Sequence, residues 1–245
     1  MANPRELAQA LETEARLPSG REERFSGYGV MGLPFASGHV LGLRRFPASS
    51  VGPGYTSVWH RDPEGRWTFY QDVPPLQACP RYFGSALTGA LKCVIRVDWT
   101  GPYSFSVAVE DDPRLEWEVT LAATLQTRAM NAVSRLVPSG LWRQAAFLTL
   151  MGVVARGVLG TGNVGLTGRA PNGQRFVANP RLIWTVAASR ATVGGTGLGA
   201  IGPLLRQARL GDFWIPQRGL FVIGGAYFEP YDPARHLEVT STVGA

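Results

Sequence analysis

Three titratable side chains between positions 55 and 73 are the residues of this sequence best suited to acid–base chemistry. An imidazole such as that of His60 can exchange a proton near neutral pH, because its unperturbed pKa is about 6.5. Tyr70 and Asp72 can form hydrogen bonds or exchange protons with a bound molecule. Burial raises the pKa of an aspartate, which lets the carboxyl group keep a proton that it can donate. We therefore predict His60, Tyr70 and Asp72 as catalytic residues of a reaction that needs no cofactor.

The neighbouring segments carry aromatic and cationic side chains that suit the walls of a binding pocket. Aromatic rings stack on flat apolar molecules, and an arginine can hold an anionic group. A histidine among apolar neighbours adds a polar group that can orient a ligand. The predicted substrate-binding residues are His39, Arg45, Trp59, Trp67, Phe69, Arg81 and Tyr82.

Strand pairing within residues 55–73 decides which of these side chains share a face. The Asp-Pro-Glu-Gly sequence at 62–65 is typical of a turn, and pairing position 61 with position 66 places His60 opposite Trp67. In this register the other face carries Tyr55, Ser57, Trp59, Thr68, Tyr70 and Asp72. Because the two faces of a hairpin point in opposite directions, we expect either His60 or Asp72 to face an interior site, but not both.

The clearest strands lie between Cys93 and Leu121, where apolar and polar residues alternate in three runs separated by two turns rich in Gly, Asp and Pro. Pairing Val97 with Phe105, and Phe105 with Val119, places every apolar side chain of the three strands on one face. We therefore predict a three-stranded antiparallel meander as one wall of the sheet.

Helical spacing interrupts the strand pattern in two places. Residues 4–17 read as a short amphipathic helix within an N-terminal segment of residues 1–20. Around residues 124–159 the apolar spacing is helical again, and the run at 145–155 is apolar on nearly every side. We interpret this helical insertion as a lid over an apolar opening.

A sheet of roughly nine or ten antiparallel strands tends to curl into a barrel, because an open flat sheet leaves its edges exposed. We predict a mainly β fold with one antiparallel β-barrel domain over residues 1–245, lipocalin-like in architecture only. The domain would include the N-terminal helix, the helical insertion and a polar tail at 230–245, in which we expect His236 to be solvated.

Several classes of function are disfavoured by the sequence. The net charge of +6 comes from dispersed arginines, with Lys92 the only lysine, so no face resembles a nucleic-acid surface. The three histidines and two cysteines have no metal-ligand spacing, and neither G-x-G-x-x-G match precedes a helix. We therefore predict no metal and no cofactor. The absence of a long apolar run predicts a cytoplasmic protein without stable membrane insertion.

The leading hypothesis is a barrel that binds an apolar small molecule, such as a terpenoid, steroid or polyketide-like compound. The chemistry would be an isomerisation, a hydration or dehydration, or a cyclisation. One alternative is a non-catalytic carrier or sensor with the same pocket, and a weaker one is a haem-binding barrel. A further alternative is an interaction module whose apolar helix docks on a partner or on a second copy, which would give a homodimer.

Overall fold

The computed structural model describes residues 3–14, 16–138 and 140–237, and it is built mainly of β-strands. The strands are β1 (Glu23–Pro34), β2 (Val40–Ser49), β3 (Tyr55–Arg61), β4 (Trp67–Gln71), β5 (Gly89–Lys92), β6 (Ile95–Gly101), β7 (Ser104–Val109), β8 (Leu115–Ala122), β9 (Thr167–Arg169), β10 (Arg175–Val193), β11 (Thr196–Gly197), β12 (Arg209–Leu210), β13 (Phe213–Trp214) and β14 (Leu220–Phe228). The α-helices are α1 (Pro4–Glu14), α2 (Pro80–Phe83), α3 (Leu125–Leu136) and α4 (Ala145–Leu159), with 3₁₀ turns at Pro75–Gln77, Gly84–Ala86 and Leu141–Arg143.

Ten of these strands form one curled sheet in the order β5-β4-β3-β2-β1-β14-β10-β8-β7-β6. Every neighbouring pair on this path is antiparallel except β4 and β5, which run parallel. Strands β9 and β11 add to β10, and β12 pairs with β13 separately. The predicted mainly β, curled architecture with an N-terminal helix and a helical insertion is confirmed.

The two edges of the sheet are adjacent in sequence, because only Cys93 and Val94 separate β5 from β6. The amide of Cys93 donates to the Gln71 carbonyl at 2.8 Å, on the side of β4. One residue further along, the carbonyl of Val94 accepts from the amide of Glu110, just beyond the end of β7, at 3.0 Å. The chain therefore crosses from one edge to the other within two residues and draws the sheet into a half-barrel.

Helix α1 lies over the open side of the half-barrel. The amide of Arg5 donates to Pro102 in the β6–β7 turn at 3.3 Å, while Glu12 at the other end of the helix accepts from Tyr28 of β1 at 2.9 Å. Between them Ala8 is fully buried in the concave core. The helix covers the sheet as its amphipathic pattern predicts, although it ends at Glu14 rather than at position 17.

The concave side of the sheet is filled by side chains. The residues that pack there come from nearly every strand and include Leu41, Leu43, Val58, Tyr70, Phe105, Val107, Trp117, Val119, Trp184 and Phe221. Large aromatic groups such as Trp117 and Phe221 are almost completely buried. Much of the expected apolar lumen is therefore occupied, because the inward side chains of the strands pack against one another.

The meander has the predicted faces but not the whole predicted register. Strands β7 and β8 pair as predicted, with Phe105 opposite Val119. Strands β6 and β7 pair with Val97 opposite Val107 instead of Phe105, and the pairing shifts between Trp99 and Gly101. A shift of two residues leaves the apolar set on the same face, because side chains alternate with a period of two.

A second layer covers the convex face of β1–β4, β10 and β14. Segments near α2 and β13 supply Tyr82, Phe83 and Phe213, which pack on the strands as a second buried core. Ring contacts join the layers, including Trp59 and Phe83 at 4.9 Å and Tyr82 and Phe228 at 3.7 Å between centroids. Both faces of these strands are therefore buried.

Helix α3 docks with its polar face inward, the reverse of the usual amphipathic arrangement. Its buried residues are Thr127, Asn131 and Ser134, whereas Leu125 and Leu136 are 82% and 84% exposed. The reason lies in β10, whose pairing with β8 begins only at Thr185. The polar side chains of α3 satisfy backbone groups along the preceding, unpaired part of that edge.

One prediction concerns the polar tail at 230–245, and another concerns membrane insertion. His236 is 5% exposed, since its Nδ1 accepts from the Asp232 amide at 2.9 Å and its Nε2 lies 3.1 Å from Glu229, so the expectation that it is solvated is wrong. Positions 238–245 of the predicted tail lie outside the described residues. Among the described helices, none combines the length and apolar character needed to span a bilayer.

Candidate functional site

The β3–β4 hairpin has a different register from the one predicted. Asp62 pairs with Arg66, so the loop has three residues and Gly65 takes the left-handed conformation at φ 93°. His60 consequently lies opposite Thr68 rather than Trp67. The concave face carries Thr56, Val58, His60, Thr68, Tyr70 and Asp72, and the convex face carries Tyr55, Ser57, Trp59, Trp67, Phe69 and Gln71. The expectation that His60 and Asp72 occupy opposite faces is wrong.

His60 and His39, which we considered separately, form a contact. His39 Nδ1 lies 3.0 Å from His60 Nε2, and the two rings stack at 5.3 Å between centroids. Burial and the neighbouring His39 lower the pKa of His60 to about 4, which keeps its ring neutral at pH 7. None of the five principal cavities within the described residues is lined by either histidine.

The three predicted catalytic residues do not converge. Tyr70 packs in the concave core, where burial raises its pKa to about 12. Asp72 accepts from the Thr56 amide at 2.8 Å and lies four positions along the chain from Thr68, the partner of His60. That separation corresponds to about 13 Å of strand. Catalytic roles for His60, Tyr70 and Asp72 remain predictions.

Asp72 and Arg45 line a polar cleft of about 490 Å³ at the open end of the half-barrel, beneath α1. Within it, Arg45 binds Glu12 through Nε at 2.9 Å and Nη2 at 2.6 Å. Burial alone would raise the pKa of Glu12, but hydrogen bonds from Arg45 and Tyr28 outweigh it and lower the pKa. Arg45 and Glu12 are therefore paired with each other within this cleft.

Arg81, the other predicted anion-binding arginine, also has a carboxylate partner. Its Nη2 lies 2.6 Å from Glu23, and the Tyr82 hydroxyl donates to the same carboxylate at 2.6 Å. Tyr82 also lines a cavity in the convex layer together with Trp59. Trp67 and Phe69 belong to the same convex core and pack edge to face at 6.2 Å.

An almost wholly apolar cavity lies outside the half-barrel, between helices α3 and α4 and the sheet. Its volume is about 450 Å³. Its walls are formed mainly by aliphatic, methionine and aromatic side chains, among them Met31, Met130, Val133, Trp142, Phe147, Met151, Val154, Ile183 and Leu220. The predicted helical lid does enclose an apolar space, but that space is on the convex side of the sheet.

Two polar groups at this cavity differ in their hydrogen bonding. The side chain of Ser134 donates to the Arg181 carbonyl and is thus occupied. Trp142 is 3% exposed, and its indole Nε1 has no hydrogen-bond partner among the described residues. Buried donors usually have a partner, so the unpaired Trp142 N–H is an unusual feature of the lining.

A second cavity, of about 80 Å³, lies within the convex layer and contains a residue that our sequence reasoning did not select. Arg44 lines it, together with Tyr55, Trp59, Cys79 and Asn179. The signal available in the sequence was that Arg44 lies on the face of β2 that points away from Leu41 and Leu43. We could have recognised its importance only by knowing that both faces of the strand are covered.

No set of three or more His, Cys, Asp or Glu side chains in the described ranges is arranged to hold a metal ion. Scans against protein-family models and curated proteins found no match. Among solved structures, the crystal structure of acetoacetate decarboxylase from Legionella pneumophila subsp. pneumophila str. Philadelphia 1 is similar at 11% identity and a TM-score of 0.39, covering 93% of this chain and 95% of that chain. A likeness at this level assigns no activity or site to this chain.

Proposed function

We propose that this protein binds an apolar small molecule in the cavity between α3, α4 and β10. The observation that carries the proposal is an almost wholly apolar space of about 450 Å³, lined in part by Trp142, whose Nε1 has no hydrogen-bond partner among the described residues. Known small-molecule pockets have volumes of about 300–1,000 Å³ and combine apolar walls with a few polar groups. A mostly hydrocarbon or aromatic compound with a single carbonyl or hydroxyl group matches this site.

The same lining favours a carrier or sensor over a catalyst. Arg181 is the only ionisable side chain among the residues around the cavity. General acid–base catalysis needs a group that exchanges a proton within hydrogen-bond reach of the substrate. The predicted isomerase- or lyase-type chemistry would therefore depend on groups elsewhere, such as those beside Asp72 in the polar cleft.

Binding of the neutral fluorescent probe N-phenyl-1-naphthylamine tests this proposal. Val154 lines the cavity, whereas Val153, its neighbour on α4, is 62% exposed. We expect saturable binding by the native protein, at least tenfold weaker binding by Val154→Phe because the larger ring fills the cavity, and unchanged binding by Val153→Phe.

Equal affinity of Val154→Phe and native protein, with both folded by circular dichroism, would show that the probe does not enter this cavity. If Val154→Phe does not fold, Ala129→Leu provides a smaller change on the facing helix. It should weaken binding severalfold, and retention of native affinity would again contradict the proposal.

A second candidate function is self-association through the outer surfaces of α3 and α4. The observation that favours it is a set of exposed aliphatic side chains on the two helices, namely Leu125, Val133, Leu136, Leu150, Val153 and Val158. Large exposed apolar patches commonly mark interaction sites. We expect a dimer in sedimentation experiments that dissociates in the Leu150→Glu variant, and a native monomer at high concentration would exclude it.

A further inference from the structure

Arg44 is anchored to the main chain at an irregularity of the sheet. Its Nη1 donates to the carbonyls of Val30 and Leu43, and its Nη2 donates to that of Met31 at 2.9 Å. The pairing of β1 with β2 shifts between Val30 and Leu33, which leaves carbonyl groups that the guanidinium satisfies. Nε and one hydrogen of Nη2, which form one edge of the guanidinium, have no partner among the described residues.

The positive charge of Arg44 is not neutralised by the protein. No Asp or Glu oxygen of the described residues lies within ion-pair distance of it, whereas Arg45 and Arg81 each have such a partner. Two aromatic rings also lie against it, those of Trp59 at 4.3 Å and Phe213 at 5.5 Å from the guanidinium carbon to the ring centroid. Burial lowers the pKa of Arg44 to about 10, so the group is still charged at pH 7.

The two acidic groups beside Arg44, unlike Arg44 itself, are uncharged. Cys79 and Tyr55 contact each other at 3.4 Å between sulfur and hydroxyl oxygen. Burial is the main reason why the pKa of each is raised, and both therefore keep their protons at neutral pH. A half-buried cation without an anion is unfavourable, and an incoming anion would remove part of that cost.

Arg44 is half-buried, and its side chain lines a cavity. The cavity beside it measures about 80 Å³, which exceeds the space needed by one water molecule but is smaller than the roughly 150 Å³ cavity that admits benzene. Glycines line part of the cavity where neighbouring main chains approach closely. A Cβ on Gly29 would lie 2.0 Å from the Leu43 carbonyl oxygen, and one on Gly224 would lie 1.9 Å from that of Asn179.

Two further buried polar groups at this cavity have incomplete hydrogen bonding. Trp59 and Asn179 are 1% and 6% exposed, and within the described ranges neither Trp59 Nε1 nor Asn179 Oδ1 has a hydrogen-bond partner. The oxygen and nitrogen of an asparagine amide are interchangeable in the assignment, so Asn179 can present an N–H to the cavity. Unpaired buried groups that cluster around one space are typical of a site that awaits a ligand.

We propose that Arg44 binds the carboxylate of a small organic acid of one to three carbons in this cavity. The free edge of the guanidinium, formed by Nε and Nη2, matches the two oxygens of a carboxylate. Trp59 Nε1 and the Asn179 amide supply further donors, and the aromatic walls accommodate a short alkyl end. This site is separate from the cavity between α3 and α4.

Acetate and its neutral isostere acetamide provide the test. Thermal unfolding and calorimetric titration are carried out with formate, acetate, propionate, acetamide and nitrate at constant ionic strength. We expect acetate to raise Tm and to bind saturably, whereas acetamide does neither. Arg44→Gln should weaken acetate binding at least tenfold, while Arg96→Gln, which removes the same charge from a side chain that is 63% exposed, should leave it unchanged.

A purely structural role for Arg44 at the bulge predicts a different result. Arg44→Gln would then lose stability, but no carboxylate would bind the native protein saturably below 50 mM, and this outcome would overturn the proposal. Equal effects of acetate and acetamide, or a stronger effect of nitrate, would also overturn it.

Trp59→Phe serves if Arg44→Gln does not fold. It keeps the ring over Arg44 but removes the indole N–H, and it should weaken acetate binding severalfold; unchanged affinity would contradict the proposed site. Val154→Phe should leave the acetate response intact, which separates failure of this site from failure of the apolar one.

Discussion

Asn131 of α3 forms two hydrogen bonds with the main chain of Ile183 in β10. Its Nδ2 donates to the Ile183 carbonyl at 2.9 Å, and its Oδ1 accepts from the Ile183 amide at 2.8 Å. This is the pattern that a neighbouring strand would provide, so one side chain substitutes for a strand where β8 has ended. The contact holds α3 with its apolar side turned toward the cavity and solvent.

Replacing Asn131 with Ala should lower the free energy of unfolding by about 2–3 kcal/mol, because two backbone groups lose their partner. Hydrogen exchange of the Ile183 amide should accelerate along with this loss. Arg128→Ala, an exposed change on the same helix, should leave both quantities nearly unchanged. Native exchange at Ile183 in Asn131→Ala would contradict this account of how α3 is held.

The carboxylate of Glu23 should contribute to stability in a pH-dependent way. Burial alone would raise its pKa, but hydrogen bonds from Arg81 and Tyr82 and the charge of Arg81 lower it overall. Its contribution is therefore complete above pH 4.5, the ordinary value, and is lost as pH falls through the lowered folded-state pKa. Glu23→Gln should reduce the unfolding free energy at pH 7 by about 2 kcal/mol.

Urea denaturation from pH 7 to pH 3 measures the Glu23 contribution. The native protein and Glu23→Gln should converge at low pH, because both then lack the charged group. Glu64→Gln, at a side chain that is 64% exposed, is the matched control and should behave like the native protein. A constant difference across the pH range would exclude the ionic explanation.

The histidine pair predicts a second pH effect in a separate range. The pKa of His60 is lowered from 6.5 to about 4 by burial and by His39, so the unfolded chain binds more protons between these values. Stability is complete above pH 6.5 and falls as pH decreases toward 4. We expect His60 to account for a loss of about 2 kcal/mol between pH 7 and pH 5.

An NMR titration of the His60 ring and denaturation of His60→Gln together check this effect. The variant should lose less stability between pH 7 and pH 5, because glutamine can still contact His39 but does not titrate. A His60 pKa near 6.5 in the folded protein would show the expectation to be wrong.

Both cysteines should react slowly in the folded protein. Burial raises the pKa of Cys79, and burial together with Asp111 raises that of Cys93 to about 11, so little thiolate exists at pH 8. Ellman's reagent should modify neither thiol rapidly until guanidinium unfolds the chain, when two react. Cys79→Ser and Cys93→Ser assign each signal, and rapid modification of either native thiol would contradict its burial.

The sequence by itself determined the local pattern. Alternation from Cys93 to Leu121 predicted the meander with its correct faces, because a period of two survives a register shift of two residues. The helical spacing around residues 124–159 and the curled mainly β architecture were also predictable, since they follow from periodicity and from the number of strands.

Only the tertiary structure decided where space remains and which polar groups lack partners. Because the hairpin loop spans 63–65, the observed register of β3 and β4 differs by one residue from the predicted register. This difference alone places Tyr70 on the same face as His60. Arg44 is important because the second layer covers its strand and leaves its charge without an anion among the described residues. Asn131 is important because β8 ends before Ile183, so the backbone groups of Ile183 need another hydrogen-bond partner. Such needs arise between segments distant in sequence, so periodicity, a local property, does not reveal them.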